Sequence, residues 1–392
     1  MFYNVGMDSF DKLRLLNENM DVEEGFLSTR FFESCESMKI ERQIPNVTYA
    51  KLPGGESIPL LKTMVSSICE KNCNYCFFRS GRDFPRAIFQ PNELAEMFLK
   101  MEKKKVVKGL FLSSGILGHG IFSQDKIIET AEILRKKHKF QGYLHLKVMP
   151  GAEKDQIRHL MMYADRVSIN LEGPNPDRLE CLAPQKRYFE EIINCLQWIH
   201  EIRTSEFANR TFKNQWPSIS TQFVVGPAKE SDNELISASS DLFRRFKLSR
   251  IYFMAFSPVI NTPFENIAAE NPVRENRLYQ ASFLLRDYGF QMEDFYFDET
   301  GNLSLSQDPK TTWAEKNLLE CPLEINKASK EELLRVPGIG VKRANNIIAF
   351  RQKNLIRNLD HLNFIGISFE KSGKYILLDG KKLGSQLRLF QF

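Results

Sequence analysis

The chain has 392 residues, 42% of them hydrophobic and 26% charged, the make-up of an ordinary globular protein with room for one large domain and a smaller one. No apolar run approaches the roughly 20 residues that span a bilayer, and Asp8, Asp11 and Glu18 stand where a secretory signal would need an apolar core. Seven cysteines with no regular spacing outside one cluster do not make a disulfide framework, so no membrane partner and a reducing, cytoplasmic setting are expected. The net charge of +5 is uneven: from Glu320 onward about 13 Lys and Arg face about 7 Asp and Glu, leaving the rest near −1. An anionic partner is expected at that basic C-terminal segment.

Taken in order, residues 1–57 read as an N-terminal extension, with one helix over about 9–18 and turns through Pro53-Gly54-Gly55. From residue 58, apolar β-branched and aromatic runs at 60–67, 108–113, 143–148, 166–171, 218–225 and 250–256 predict strands. Amphipathic stretches at 92–105, 125–137, 154–162, 186–202, 233–246 and 272–288 predict the helices between and after them, with Pro91 and Pro272 placed for a first helical turn. Six β–α repeats in order predict an α/β fold with a parallel sheet under covering helices, over 58–300. Residues 301–320 read as a connecting segment, with turn residues around Gly301 and Pro309, and 321–392 as a separate C-terminal domain.

Cys69, Cys73 and Cys76 follow the first predicted strand on the loop into the first helix. That edge of a parallel β/α fold is where ligands bind. Three thiolates fall one short of a closed four-coordinate site and leave a metal position open. The spacing alone is compatible with zinc completed from elsewhere, with unligated thiols, or with an iron–sulfur cluster having one open iron; no histidine lies in the loop.

The pattern Cys69-x3-Cys73-x-Tyr75-Cys76 resembles the signature of the radical S-adenosylmethionine (SAM) enzymes, aromatic residue included. The resemblance implies a partial (β/α)6 TIM-like barrel and a [4Fe-4S] cluster on the three thiolates. SAM would chelate the fourth iron, with Tyr75 near its adenine. It implies that Ser113, Ser114 and Gly115 receive the SAM amino group, although the family's usual stretch here is Gly-Gly-Glu. Asn170 and Glu172, alternating onto one face at the end of the fourth strand, suit a ribose or methionyl group. Lys147 and Gln222 are further cofactor-binding candidates. His119, between two glycines after the second strand, and Cys181, after the fourth, are catalytic candidates against the simpler readings of a surface loop and an inert thiol. Cys35, Cys181, Cys195 and Cys321 are scattered, so one cluster is expected.

The C-terminal segment has its own logic. Ser329 followed by Glu332 marks a helix start, and Pro337-Gly338-Ile339-Gly340 then Lys342 and Arg343 separate that helix from a second. This resembles a helix–hairpin–helix element, within a small all-α domain. Glycines admit a phosphate close to the backbone, helix N–H groups point at it, and Lys342 and Arg343 add charge. The nucleic-acid contacts implied are Gly338, Ile339, Gly340, Lys342 and Arg343. A second half at 359–366 is less regular.

A radical SAM barrel with such a tail resembles a bacterial family associated with DNA modification or repair, also through Leu60-Leu61-Lys62, 146–151 and 287–290. The expected activity is reductive cleavage of SAM, with the 5′-deoxyadenosyl radical acting on nucleic acid, DNA ahead of RNA. A reductase, flavodoxin or ferredoxin would supply the electron. The rival expectations are RNA or tRNA modification, and a nucleic-acid-binding protein with a structural or redox-sensing cluster.

Overall fold

The computed structural model describes residues 7–17, 47–51 and 57–382. The turns expected at 53–55, and Cys35, lie outside them. Two compact units divide the chain: one takes it up to Glu230 together with Leu242–Asn271, the other takes Ser231–Asp241 and the chain from Pro272 on.

In the first unit, α1 (Ser9–Asn17) precedes β1 (Val47–Lys51), which pairs antiparallel with β2 (Ser57–Met64). Then come α2 (Pro91–Lys103), β3 (Gly109–Ser113), α3 (Ile121–Glu132), β4 (Tyr143–Lys147), α4 (Lys154–Tyr163), β5 (Arg166–Ser168), α5 (Pro176–Leu182), α6 (Asn194–Ser205), β6 (Ser218–Val225) and β7 (Arg250–Ala255); α7 (Asp232–Phe246), between these last two strands in sequence, is divided between the units. The strands form one sheet in chain order, with β2 to β7 all parallel. Among the described residues β1 and β7 are its two edges, so the barrel is partial.

Register explains why these strands alternate, although parallel sheets usually read as apolar throughout. Lys62, Phe111, His145, Arg166 and Ser218 are successive partners across five strands and so share one face. Lys147, Ser168, Ser220 and Arg250 form the next row on that face. The other face carries Leu110, Leu112, Leu144, Leu146, Val167 and Ile219, all fully buried, and packs against the helices. The inside of the curve is therefore polar, as a bore that receives a polar ligand must be.

Three local differences from the sequence reading have physical causes. The 166–171 run leaves the ladder after Ser168 and rejoins it only through a bridge between Glu172 and Phe223. Residues 186–202 are not one α-helix: Tyr188–Ile193 winds as a π-helix before α6. The short α5 was not expected, yet Asn175 caps it through Oδ1 and Pro176 opens it.

The second unit holds α8 (Pro272–Asp287), α9 (Pro309–Asn317), β8 (Leu323–Glu324), α10 (Lys330–Arg335), α11 (Val341–Arg351), α12 (Leu359–Ile365), α13 (Phe369–Ser372), β9 (Ile376–Leu378) and β10 (Lys381–Lys382). It is mainly helical, but β8, β9 and β10 form a small sheet, which corrects the all-α expectation. Strands of two or three residues leave no periodicity to read. Ala314 and Leu318, at the α9 end, share a core with Ile325, Leu333, Ile339 and Ile347.

One buried cation ties several turns of the barrel together. Arg135, 4% exposed, donates to the carbonyls of Tyr163 (3.1 Å), Phe140 (2.7 Å) and Gly142 (2.8 Å) and to Asp165 Oδ2 (2.9 Å). Arg135→Ala strands three carbonyls and leaves Asp165 with Lys213 as its remaining cation, so it should cost about 3–5 kcal/mol of unfolding free energy. A denaturant midpoint for the barrel transition within error of wild type would refute this.

Candidate active site and nucleic-acid hairpin

The cysteine loop leaves the C-terminal end of β2 and is stitched to the barrel rim by its backbone. Glu70 N donates to Ile116 O (2.8 Å), Asn74 N to Leu182 O (2.7 Å) and Ser80 N to Lys71 O (2.8 Å). Arg79 reaches back to the carbonyls of Asn72 and Cys73 (both 3.2 Å). Arg86 gathers those of Ser67 (2.7 Å), Phe78 (3.1 Å), Arg79 (2.8 Å) and Arg82 (3.3 Å). Arg82 stacks 3.9 Å from the Phe77 ring centroid. These arginines and phenylalanines were missed from sequence, although their density just after Cys76 was a signal.

Two of the loop's sulfurs already accept backbone hydrogen bonds, Cys69 from Ile116 N and Cys76 from Phe78 N, both at 3.4 Å. Cys73 is buried, and burial pushes its thiol up to about 11, against the Lys186 ammonium, which lowers it. Among the described residues no three His, Cys, Asp or Glu groups are close enough to hold one ion. A single zinc would need that closeness; thiolates that each bind a different iron of a cluster do not.

Tyr75, Asn170, Glu172 and Gln222 converge on one small cavity, together with Cys76, Phe77 and Phe78. Asn170 Oδ1, Glu172 Oε2 and Gln222 Oε1 are buried there without a hydrogen-bond partner among the described residues, and so is the nearby-strand Ser114 Oγ. Orphaned acceptors of this kind are costly unless a ligand supplies donors. The amine and hydroxyls of SAM are such donors, so the residues present fit the cofactor.

Glu172 is the hub. It is 3% exposed, at φ +64°, and its Oε1 pairs with Lys186 Nζ at 2.8 Å. Burial works against the Lys186 charge, but Glu172 and the Cys73 and Cys69 sulfurs outweigh it and raise its pKa. Burial first, then the facing Glu172 carboxylate, raises the Tyr75 phenol well above its ordinary value, so the phenol stays protonated as a donor. Lys186 was missed: nothing in its sequence surroundings marks it. Lys71 extends the charge pattern, pairing with Glu191 at 2.8 Å.

The other candidates fall elsewhere. The carbonyl of Ser113 accepts from Val65 N (2.9 Å) and that of Gly115 from Ser123 Oγ (2.7 Å), so both are engaged within the protein. Gly115 is glycine because a Cβ there would lie 2.1 Å from Ile68 O and 3.2 Å from Cys69 Cβ. Lys147, 6% exposed, lies on the bore face with His145, whose pKa burial and the Arg166 and Lys147 charges hold well below the ordinary value. Neither lines the small cavity. His119 is exposed at φ +56°, its N–H bonded to Glu70 Oε2 (3.2 Å). Cys181 is an exposed thiol on α5 whose carbonyl accepts from Asn74 Nδ2 (2.8 Å), a brace for the cysteine loop.

In the second unit, Ser329 and Glu332 complete a capping box at α10. Gly338 turns at φ +82°, where a Cβ would meet Ser372 Oγ at 2.8 Å. Three side chains brace the hairpin: Ser372 Oγ donates to Pro337 O (2.7 Å), Arg343 Nη1 to Gly338 O (2.7 Å) and Lys310 Nζ to Ile339 O (2.6 Å). Ile339 is fully buried and its N–H bonds Val336 O (3.0 Å), so it holds the turn and presents no donor outward. Gly340 precedes α11 with no side-chain cap, which leaves the first N–H groups of an 11-residue helix open beside exposed Lys342.

Residues 63–237 match the radical SAM superfamily, and 320–365 match the helix-hairpin-helix motif. This chain carries a radical SAM domain. Its cofactors are those of the superfamily, a [4Fe-4S] cluster and SAM, and its helix-hairpin-helix motif is of a kind that binds nucleic acid. The chain is similar to methylornithine synthase PylB at 13% identity and TM-score 0.45, over 58% of this chain and 62% of that one. It is similar to the FeFe-hydrogenase maturase HydG from Carboxydothermus hydrogenoformans at 15% and 0.43, over 58% and 51%. A radical SAM methyltransferase from Sphaerobacter thermophilus gives 12% and 0.43, over 61% and 70%. The enzyme thus spans about half of HydG and under two thirds of PylB, and their activities are their own. No curated protein matches the sequence. No described helix is long and apolar enough to cross a membrane.

Two outcomes test this geometry. Gly115→Ala must displace the loop at Ile68, so iron bound per chain should fall severalfold while far-UV circular dichroism is kept; full iron loading would contradict the packing. Burial lowers the Lys310 ammonium to about 7, whereas an unfolded lysine titrates near about 10.4. Between those values the unfolded chain holds the extra proton, so this residue makes stability rise with pH. The stability of Lys310→Met minus that of wild type should therefore fall from about pH 6 to about pH 10; a constant difference would exclude it.

Proposed function

We propose that this radical SAM enzyme modifies or repairs nucleic acid, with DNA favoured over RNA. The observation that carries the reading is the braced hairpin before α11: an uncapped helix start, a Gly338 turn and exposed Lys342 in one place. That combination suits a sugar–phosphate backbone and carries little sequence information.

In the barrel, Cys69, Cys73 and Cys76 would hold the cluster, and Asn170, Glu172, Gln222 and Ser114 would accept from SAM, with Tyr75 beside it. When bound, these cofactors supply an organic radical through reductive cleavage of SAM. The protein's own work is to hold and to exclude. Lys186 orients the Glu172 carboxylate through their ion pair, and Phe77 and Phe78 close the cavity against water. A base would have to be flipped, damaged or single-stranded to reach such a pocket.

Anaerobic assays with reductant and SAM decide the matter. Wild type should form 5′-deoxyadenosine, Cys69→Ala should form none, and DNA should stimulate more than RNA. Lys342→Glu should weaken that stimulation about tenfold and lessen its salt slope by about 1. Turnover that no DNA or RNA affects would sink the nucleic-acid reading. Stronger stimulation by structured RNA would transfer it to RNA.

A further inference from the structure

One cavity of the first unit lies away from the cluster. It is a cleft of about 1080 Å³ at the opposite, N-terminal ends of β2 to β6, where it touches Ile58, Tyr143, Arg166 and Ser218. Catalytic sites of barrels of this type gather at the other end, so this cleft is outside the radical chemistry.

Its charge is one-sided. Lys103, Lys108, Lys139, Arg166, Arg203 and Lys213 line it against only two carboxylates, Glu102 and Asp165. Asp165 is already committed, to Arg135 (2.9 Å), to the Leu144 N–H (2.8 Å) and to Lys213. The four lysines stand exposed around the rim. Solvated lysines alone would be unremarkable, but Arg203 is not on the rim. It is half-buried on α6, burial alone lowers its pKa, and no carboxylate offsets that. Among the described residues it has no hydrogen bond or ion pair. A guanidinium withdrawn from water without an acid is costly unless an anion meets it. Arg166, on the same floor, is held toward the bore by Ser218 Oγ (3.1 Å) and Tyr252 Oη (3.2 Å). Half-buried Trp216 lines the cleft too, its indole fixed by a hydrogen bond to Glu206 O (3.0 Å).

We propose that this cleft is a second, non-catalytic binding site for the phosphate groups of nucleotides, with Arg203 as its central anchor and the rim lysines as its funnel. An unpaired, half-buried guanidinium and a fixed indole lining the same cleft match phosphate and base, and the lysines match further phosphates along a strand. The inference does not rest on nucleic acid being the substrate.

The test uses the full, cluster-loaded chain carrying Lys342→Glu and Arg343→Glu, which silences the hairpin. Two fluorescent probes, a short single-stranded DNA and a labelled ATP, are titrated against this parent. Arg203→Glu, or Lys108→Glu with Lys139→Glu, should weaken at least one probe about tenfold and lower the salt slope by roughly 1 per reversed charge. A control reversal elsewhere, Lys126→Glu with Lys229→Glu, should not. Iron content and circular dichroism report folding, and the exposed rim pair keeps the test decisive if Arg203→Glu does not fold. Weakening of the strand alone assigns the site to a polynucleotide backbone, and weakening of ATP to a free nucleotide; either supports the proposal. Failure of the parent to bind either probe, unchanged binding in the cleft variants, or equal loss in the control overturns it.

Discussion

The site depends on a buried ion pair, the Glu172 carboxylate against the Lys186 ammonium. Glu172 sits at the barrel mouth with its backbone in the sheet: its N–H bonds Gln222 O (3.0 Å) and its carbonyl accepts from Val224 N (2.8 Å). Its side chain pairs with Lys186 at 2.8 Å and faces Tyr75, two residues from Cys73. Strand, cofactor pocket and cysteine loop therefore share one electrostatic balance. Removing either partner leaves an unmatched buried charge within reach of the cluster thiols.

What could be read from sequence follows from how far each interaction reaches along the chain. The cysteine spacing is local, within eight residues, and legible at once. Asn170, Glu172 and Gln222 were legible as candidates because parallel order brings strand ends to one edge, although the strand before Asn170 stops at Ser168 and Glu172 reaches the cavity from a φ of +64°. Lys186 was not, because its role arises only from where the chain returns after α5. β1 was hidden because it pairs antiparallel, outside the repeating units. The basic cleft was hidden by separation along the chain. Its cations are scattered over positions between 103 and 213, and only folding brings them together.

The hairpin shows the opposite case, a motif legible in outline whose residues divide their labour. Ile339 and Arg343 look alike from sequence, as neighbours of a phosphate. In the fold Ile339 belongs to the core and Arg343 folds back onto Gly338. Lys342 is left as the outward charge. The rigidity comes from carbonyls of Pro337, Gly338 and Ile339, each held by a different side chain. A turn fixed in advance loses less entropy when a backbone docks against it.

The π-helical turn at Tyr188–Ile193 has a bearing on how this site can change over evolution. A π-turn holds one residue more than the α-turn it replaces. Deleting a single residue there would regularise the helix, a change that looks stabilising by propensity alone. The helix on either side would keep its phase, because the wide turn's extra residue is what is lost, but the side chains inside the turn would be re-aimed. Glu191 lies inside that turn and meets Lys71, while Lys186 lies just before it and meets Glu172. The irregularity is thus an aiming device: it fits one more residue into the turn and points Glu191 at the cysteine loop while the rest of the helix stays packed as an ideal one would.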